Sequence, residues 1–162
     1  MYISANIHRG KMMKILIGAS GSGINDVEWG NEDLPKIRIG INTACLKIPE
    51  CNFVAALDED VIRMPMVRKR FLITTDHGLK VSNYTGPSFV VQYHQYSMLA
   101  AIQFAINNNV NKIYFAGVDF GKTRDKQLEK YYDRLPEFYV KQYSKIKWKM
   151  FELLGDIKYE LI

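Results

Sequence analysis

Ala116-Gly-Val-Asp-Phe-Gly-Lys-Thr123 admits two readings, and the fold turns on the choice between them. As a pattern it nearly matches the phosphate loop of nucleotide hydrolases, in which a small residue, four spacers and Gly-Lys-Thr follow a strand. As local structure it is an apolar strand, Lys112-Ile-Tyr-Phe-Ala116, that releases into a loop at Gly117-Val-Asp-Phe120. A hydrolase loop needs a further apolar strand ending in Asp to hold magnesium. Only 39 residues follow Thr123, and most of them read as one long helix. The last apolar strip, Ile157-Lys-Tyr-Glu-Leu-Ile162, has no Asp after it. The strand-and-loop reading is therefore the better one.

Working outward from that strand, the same short apolar runs recur. Lys14-Ile-Leu-Ile-Gly-Ala19, Lys36-Ile-Arg-Ile-Gly-Ile41, Asn52-Phe-Val-Ala-Ala-Leu57 and Arg70-Phe-Leu-Ile-Thr-Thr75 each read as a strand buried on both faces. A Gly/Pro-punctuated loop, Tyr84 to Ser88, follows. Helical spacing of Met98, Leu99, Ile102, Ala105 and Ile106 predicts a helix from about His94 to Asn108, stopped by Asn107-Asn-Asn109. A second long helix is predicted from Pro136 to Leu154, with Tyr139, Tyr143, Ile146, Met150 and Leu153 as its buried stripe. Strands that are continuously apolar and alternate with helices define an α/β fold: a Rossmann-like three-layer sandwich on a mostly parallel sheet of about five to six strands. Residues 1–12 read as an N-terminal extension, and 13–162 as one nucleotide-binding domain with a long C-terminal helix.

Composition narrows the function classes. The 162 residues are 48% apolar, enough for a sizeable core, and no apolar run approaches a membrane span. The net charge of +5 suits an anionic ligand, but the positive charges are dispersed among acids, which does not favour nucleic acid. Cys45 and Cys51 are the only cysteines, and they and the three histidines offer no metal-ligand spacing. With no secretory segment at the start, the expectation is a cytoplasmic protein with reduced thiols and no required metal. Self-association is open, because the last helix is rich in aromatic residues.

In parallel sheets of this kind ligands bind beyond the carboxyl ends of the strands. There the unusual residues gather: Gly18 to Gly23, Asn42, Asp58, Asp76 with His77, and Asp119. Gly18-Ala-Ser-Gly-Ser-Gly23 follows the first strand, where exposed amides and absent side chains let a backbone approach an anion. A plain tight turn is the alternative. The spacing Gly-x-x-Gly-x-Gly is not the dinucleotide fingerprint, and Asn42 stands where a ribose-binding acid is expected, so NAD is disfavoured.

These residues resemble the Rossmann-like family of bacterial CMP-sialic-acid sialyltransferases and, more distantly, the MptE-like (pterin diphosphokinase-like) domains. Gly18-Ala-Ser-Gly-Ser22 stands at the family's Gly-Asn-Gly-Pro-Ser-like turn, and Asn42 at its second-strand Asn. Ser97-Met-Leu-Ala-Ala begins its small-residue helix, and Gly117-Val-Asp-Phe120 matches its Gly-Ile-Asp-Phe strand end. The resemblance spans roughly Lys14 to Phe120 and implies a CMP-sugar or another nucleotide as ligand. It implies nucleotide contacts from Gly18, Ser20, Gly21, Ser22, Asn42, Ser97 and Gly117. The chain departs from the family in three places. No His follows His94, where the family uses one as general base; Ala19 replaces the first-turn Asn; and the acceptor lid shrinks to Thr123–Leu135. Tyr131 and Tyr132 stand where the family's phosphate-holding tyrosines would be.

A transferase needs a base within reach of an acceptor hydroxyl. Asp119 is the first candidate, although the same carboxylate is better suited to capping its own loop. Asp58 and His77 come next. His94 reads either as a phosphate contact beside Ser97 at a helix N-terminus or as an ordinary surface residue. Three functions follow: a sugar-nucleotide-dependent glycosyltransferase, a non-catalytic protein that binds or sequesters a nucleotide, and a nucleic-acid-associated or structural assembly protein.

Overall fold

The computed structural model describes residues 12–92, 94–131 and 136–162, with backbone alone for 136–139. The predicted N-terminal extension, apart from Met12, lies outside the described residues. The seven strands among them are β1 (Lys14–Gly18), β2 (Ile37–Ile41), β3 (Phe53–Ala55), β4 (Phe71–Thr74), β5 (Ser88–Val90), β6 (Lys112–Ala116) and β7 (Lys158–Leu161). They form one sheet in the order β5-β4-β3-β2-β1-β6-β7, with every neighbouring pair parallel. This is the α/β sheet the apolar runs predict, extended by one strand. Ser88-Phe-Val90 is too short, and too close to the Pro87 turn, to register as a strand by pattern. It forms because β4 offers it an open edge, pairing Leu72 with Ser88 and Thr74 with Val90.

The chain steps outward from β1 to β5 and then jumps back across β1 to place β6 and β7 on its far side. Right-handed crossovers force the connecting segments of the two directions onto opposite faces of the sheet. The side chains follow that rule. Leu16, Val54, Leu72 and Ala116 face a core shared with the short 3-10 helices Ser22–Asn25 and Asn42–Lys47 and with α1 (Glu59–Ile62) and α2 (Pro65–Arg68). α3 (Asp76–Ser82) joins the same face through Leu79. Ile15, Ile17, Ile39, Ile73, Ile113 and Phe115 face the other way, against α4 (Ser97–Asn107) and α5 (Pro136–Leu154). Alternate residues of one strand thus serve two cores, which is why the runs read as continuously apolar rather than alternating.

α4 begins three residues later than its periodicity predicts, because Tyr96 is extended, at φ −133° and ψ 142°. Its end is as predicted: Asn109 adopts the left-handed conformation at φ 56°. α5 has the predicted bounds, with Ile146, Met150 and Leu154 on its buried side, so the stripe runs to Leu154 rather than Leu153. Tyr139's side chain lies outside the described residues. Among the described residues no helix is long and apolar enough to cross a membrane. Cys45 and Cys51 are both buried free thiols, and burial pushes the Cys45 thiol up to about 12.

After β6 the chain does not enter a helix. It runs as a loop to a 3-10 turn at Glu129–Tyr131, with Lys122 exposed. A hydrolase phosphate loop requires Gly-Lys-Thr to open a helix onto the nucleotide. The strand-and-loop reading of Ala116–Thr123 therefore stands.

Candidate functional site

The order of strands reverses between β1 and β6, and the loops that leave these two strands part in opposite directions around a crevice. Two glycines let them approach. The Ala19 amide donates to Ala116 O at 2.8 Å and the Gly21 amide to Gly117 O at 2.9 Å. A Cβ on Gly21 would stand 2.4 Å from Gly117 O, and one on Gly117 would stand 2.5 Å from Ala19 O. Gly117 also has φ 65°, a conformation L side chains resist. The first turn is thus fastened to the second by its own backbone.

A cleft of about 800 Å³ opens at these strand ends, bounded by the ends of β1, β2, β3 and β6, the start of α4 and the inner side of α5. Of the residues the sequence singles out, it brings together Ser20, Gly21, Asn42, Asp58, Ser97, Gly117, Asp119 and Tyr131. Gly18 is buried at the end of β1, beneath the cleft, where Ile48 packs against it. Ser22 stands at its margin, tied to Thr123. His77 lies exposed on α3 and His94 lies before α4, 3.3 Å from Gln103; neither lines the cleft. Tyr132 lies outside the described residues.

Asn42 closes β2 with φ 51°, a left-handed residue that turns the chain into the following 3-10 helix. Asparagine tolerates that geometry better than most residues. Its Oδ1 accepts a hydrogen bond from Ser97 Oγ at 3.2 Å, joining the second strand to the first turn of α4 across the cleft. No side chain caps α4 and no acid lies in its first turn, so its N-terminal dipole meets the cleft uncompensated. Beside Asn42, Thr43 is buried at 2% exposure and its hydroxyl has no hydrogen-bond partner among the described residues.

Asp119 is engaged by its own loop: Oδ2 accepts from the Thr123 amide at 2.9 Å and from the Thr123 hydroxyl. Thr123 Oγ1 in turn accepts from the Ser22 amide at 3.0 Å and from Ser22 Oγ at 2.8 Å. Asp58 is different. It precedes α1 without a side-chain cap bond, and it is exposed on the wall of the cleft beside Glu59 and Asp60. Arg124 and Lys130 line the same cleft, so it carries acids at the end of β3 and bases along the loop after β6.

That loop is anchored by a residue with no motif to announce it. Asp125 is 3% exposed and accepts from Asn25 Nδ2 at 2.7 Å and from the Gln127 and Leu128 amides. Lys47 lies 3.4 Å away, and the Asp125 amide donates to Ser20 O at 2.7 Å. Burial acts to raise this carboxyl, but the Asn25 bond, the Lys47 ammonium and the backbone donors outweigh it and hold it below the ordinary carboxylate value. Sequence reading also missed Thr43 and Tyr143, both lining the cleft. Only Thr43, adjacent to Asn42 at a strand end, carried a positional signal. Among the described residues no group of three or more His, Cys, Asp or Glu side chains is placed to hold a metal.

Fold and site together define a doubly wound, all-parallel α/β protein with a polar cleft at its topological switch point. No protein-family model matches the chain, and no curated protein matches it in sequence. Among solved structures it is similar to the sialyltransferase CstII from Campylobacter jejuni, determined in complex with a substrate analogue, cytidine-5'-monophosphate. The two share 11% identity with a TM-score of 0.47, over 93% of this chain and 79% of that one.

Proposed function

We propose that the protein binds a nucleotide-sugar of the CMP-sugar type in the switch-point cleft and transfers the sugar to an acceptor hydroxyl. The observation that carries this reading is the Asn42–Ser97 contact. It joins two residues that the sialyltransferase-like resemblance assigns to the nucleotide, although 55 positions separate them. In this reading the Ser20-Gly21 turn and the uncapped α4 N-terminus hold the phosphate, where backbone amides and the helix dipole favour negative charge. Asn42 and the unpartnered Thr43 hydroxyl face the nucleoside. Tyr131 and the bases of the loop after β6 lie on the leaving-group side.

The chemistry assigned is a displacement. An acceptor oxygen attacks the anomeric carbon, the bond from that carbon to the phosphate oxygen breaks, and the nucleotide leaves with the electron pair. The acceptor's proton goes to a carboxylate. Asp58 suits that role better than Asp119, whose Oδ2 is taken by Thr123. Asp119 then serves as the loop cap.

The engagement of Asp119 also favours a second reading, a protein that binds the nucleotide without turning it over. One experiment addresses both. Thermal shift is measured with CMP, UMP, CDP, UDP, GDP, ATP and CMP-sugars, and nucleotide release is then followed from whichever sugar nucleotide binds. A ligand specific to the folded state raises the melting temperature by mass action. A shift with cytidine nucleotides, plus release that Asp58→Asn abolishes without loss of binding, supports transfer. Binding without release supports sequestration. No shift with any nucleotide at millimolar concentration overturns both.

A further inference from the structure

The last strand of the sheet is exposed along its whole length. All four residues of β7 are solvent-accessible, and Leu161 is 57% exposed. Among the described residues β7 pairs with β6 alone, leaving an outer row of amides and carbonyls without strand partners there. Above it, on the face covered by α5, Tyr159 stacks on Phe151 with ring centroids 5.7 Å apart. One turn earlier on α5, Trp148 is 79% exposed. An open strand edge continuous with an exposed aromatic ridge is a liability that proteins ordinarily cover or block.

We propose that this edge is the interface of a two-fold symmetric homodimer in which β7 pairs antiparallel with the partner's β7. The backbone and the charges select one register. The Ile162 amide donates inward to Phe115 O at 2.9 Å, and alternate residues of a strand turn their amides the same way. Glu160 therefore also faces β6, and Tyr159 and Leu161 face outward. A two-fold pairing can then oppose outward residues only to outward residues. Placing Lys158 opposite the partner's Lys158, or Glu160 opposite the partner's Glu160, juxtaposes like charges. Leu161 opposite the partner's Leu161 sets Glu160 against Ile162 and pairs no opposite charges. The one register that does pair them sets Tyr159 opposite the partner's Tyr159. It places Lys158 opposite the partner's Glu160, and Glu160 opposite the partner's Lys158. These would be non-hydrogen-bonded pairs, the kind in which cross-strand side chains lie closest.

Within β7 the charges are complementary in that register alone. Glu160 already accepts from Lys112 Nζ at 2.7 Å, so each interface carboxylate would lie between an intrachain and an interchain ammonium. On the opposite face the same symmetry brings Phe151 and Trp148 of the two α5 helices toward one another, supplying the apolar area that strand pairing alone lacks.

The test is sedimentation equilibrium of the full chain and two charge variants. The wild type is expected at twice the 18.7 kDa protomer mass at tens of micromolar protein. Lys158→Glu, which leaves the Lys112–Glu160 bridge intact, and Glu160→Lys are each expected to be monomeric, because each opposes like charges at both interface pairs. Mixed in equal amounts, they are expected to recover the dimer mass, since one chain then presents two acids to the other's two bases. Circular dichroism confirms that each variant is folded. A monomeric wild type, variants that remain dimeric, or folded variants that fail to associate when mixed would each overturn the proposal.

Discussion

Ser22 Oγ donates to Thr123 Oγ1 at 2.8 Å, and the Ser22 amide donates to the same oxygen at 3.0 Å, across 101 residues of chain. A backbone donor of the turn after β1, to which the proposed function assigns the phosphate, is thus occupied by a hydroxyl of the loop after β6.

Thr123→Val keeps the shape of that residue and removes its oxygen. The Ser22 amide is released, and Asp119 loses one of its two donors. Because these bonds are exposed, the stability cost is expected to be small, about 1 kcal/mol by urea denaturation. Isothermal titration with the nucleotide found by thermal shift is expected to show severalfold tighter binding, since phosphate no longer competes with Thr123. Unchanged or weaker affinity would mean that Thr123 does not stand in the phosphate's place.

Gly117 combines a close backbone approach with a left-handed conformation. Gly117→Ala forces a side chain into the left-handed region and within 2.5 Å of Ala19 O. The conformational penalty and the overpacking together are expected to cost roughly 2–4 kcal/mol in denaturant unfolding. Gly23→Ala has nothing within 4 Å of the new Cβ and is the matched control. Equal effects of the two changes would argue against the fastening of the two turns.

Asp125 gives the fold a pH dependence of definite sign. Its carboxyl is held below the ordinary value, so its contribution is fully present above the unfolded-state pKa of about 3.9 and is lost as pH falls through the lower folded value. Asp125→Asn is expected to lose about 1–3 kcal/mol at neutral pH. The gap between wild type and variant should stay constant down to roughly pH 5 and close below roughly pH 4. A gap that widens on acidification would contradict the assignment.

Burial also predicts inert thiols. With Cys45 pushed up to about 12 and Cys51 raised as well, neither carries appreciable thiolate at pH 8. A chromogenic disulfide reagent is expected to leave the native protein unlabelled over minutes and to titrate both cysteines in guanidinium. Rapid native labelling of either would show that its core opens.

The sheet was legible because its signal is local. Each central strand carries its own apolar run, and a run buried on both faces announces a parallel sheet whatever its neighbours are. β5 was not legible, since three residues after Pro87 hold no period and become a strand only against the free edge of β4. The start of α4 was misjudged for a related reason: the apolar spacing continues through Tyr96, but the cleft wall requires extended backbone there.

The strand-end positions of Asn42, Asp58 and Asp119 follow from the sequence alone, because each ends or follows an apolar run and such ends share one side of a parallel sheet. What each carboxylate or amide does there does not follow. Whether Asp119 is engaged depends on Thr123, and whether Thr123 is engaged depends on Ser22, a residue brought beside it only when β6 crosses back next to β1. Asp125 and Thr43 acquire their character from burial, which no local pattern encodes. The sequence determined which residues stand at the mouth of the sheet. Tertiary structure decided which of them are already satisfied by one another, because hydrogen bonding is a matter of angstroms between segments a hundred residues apart.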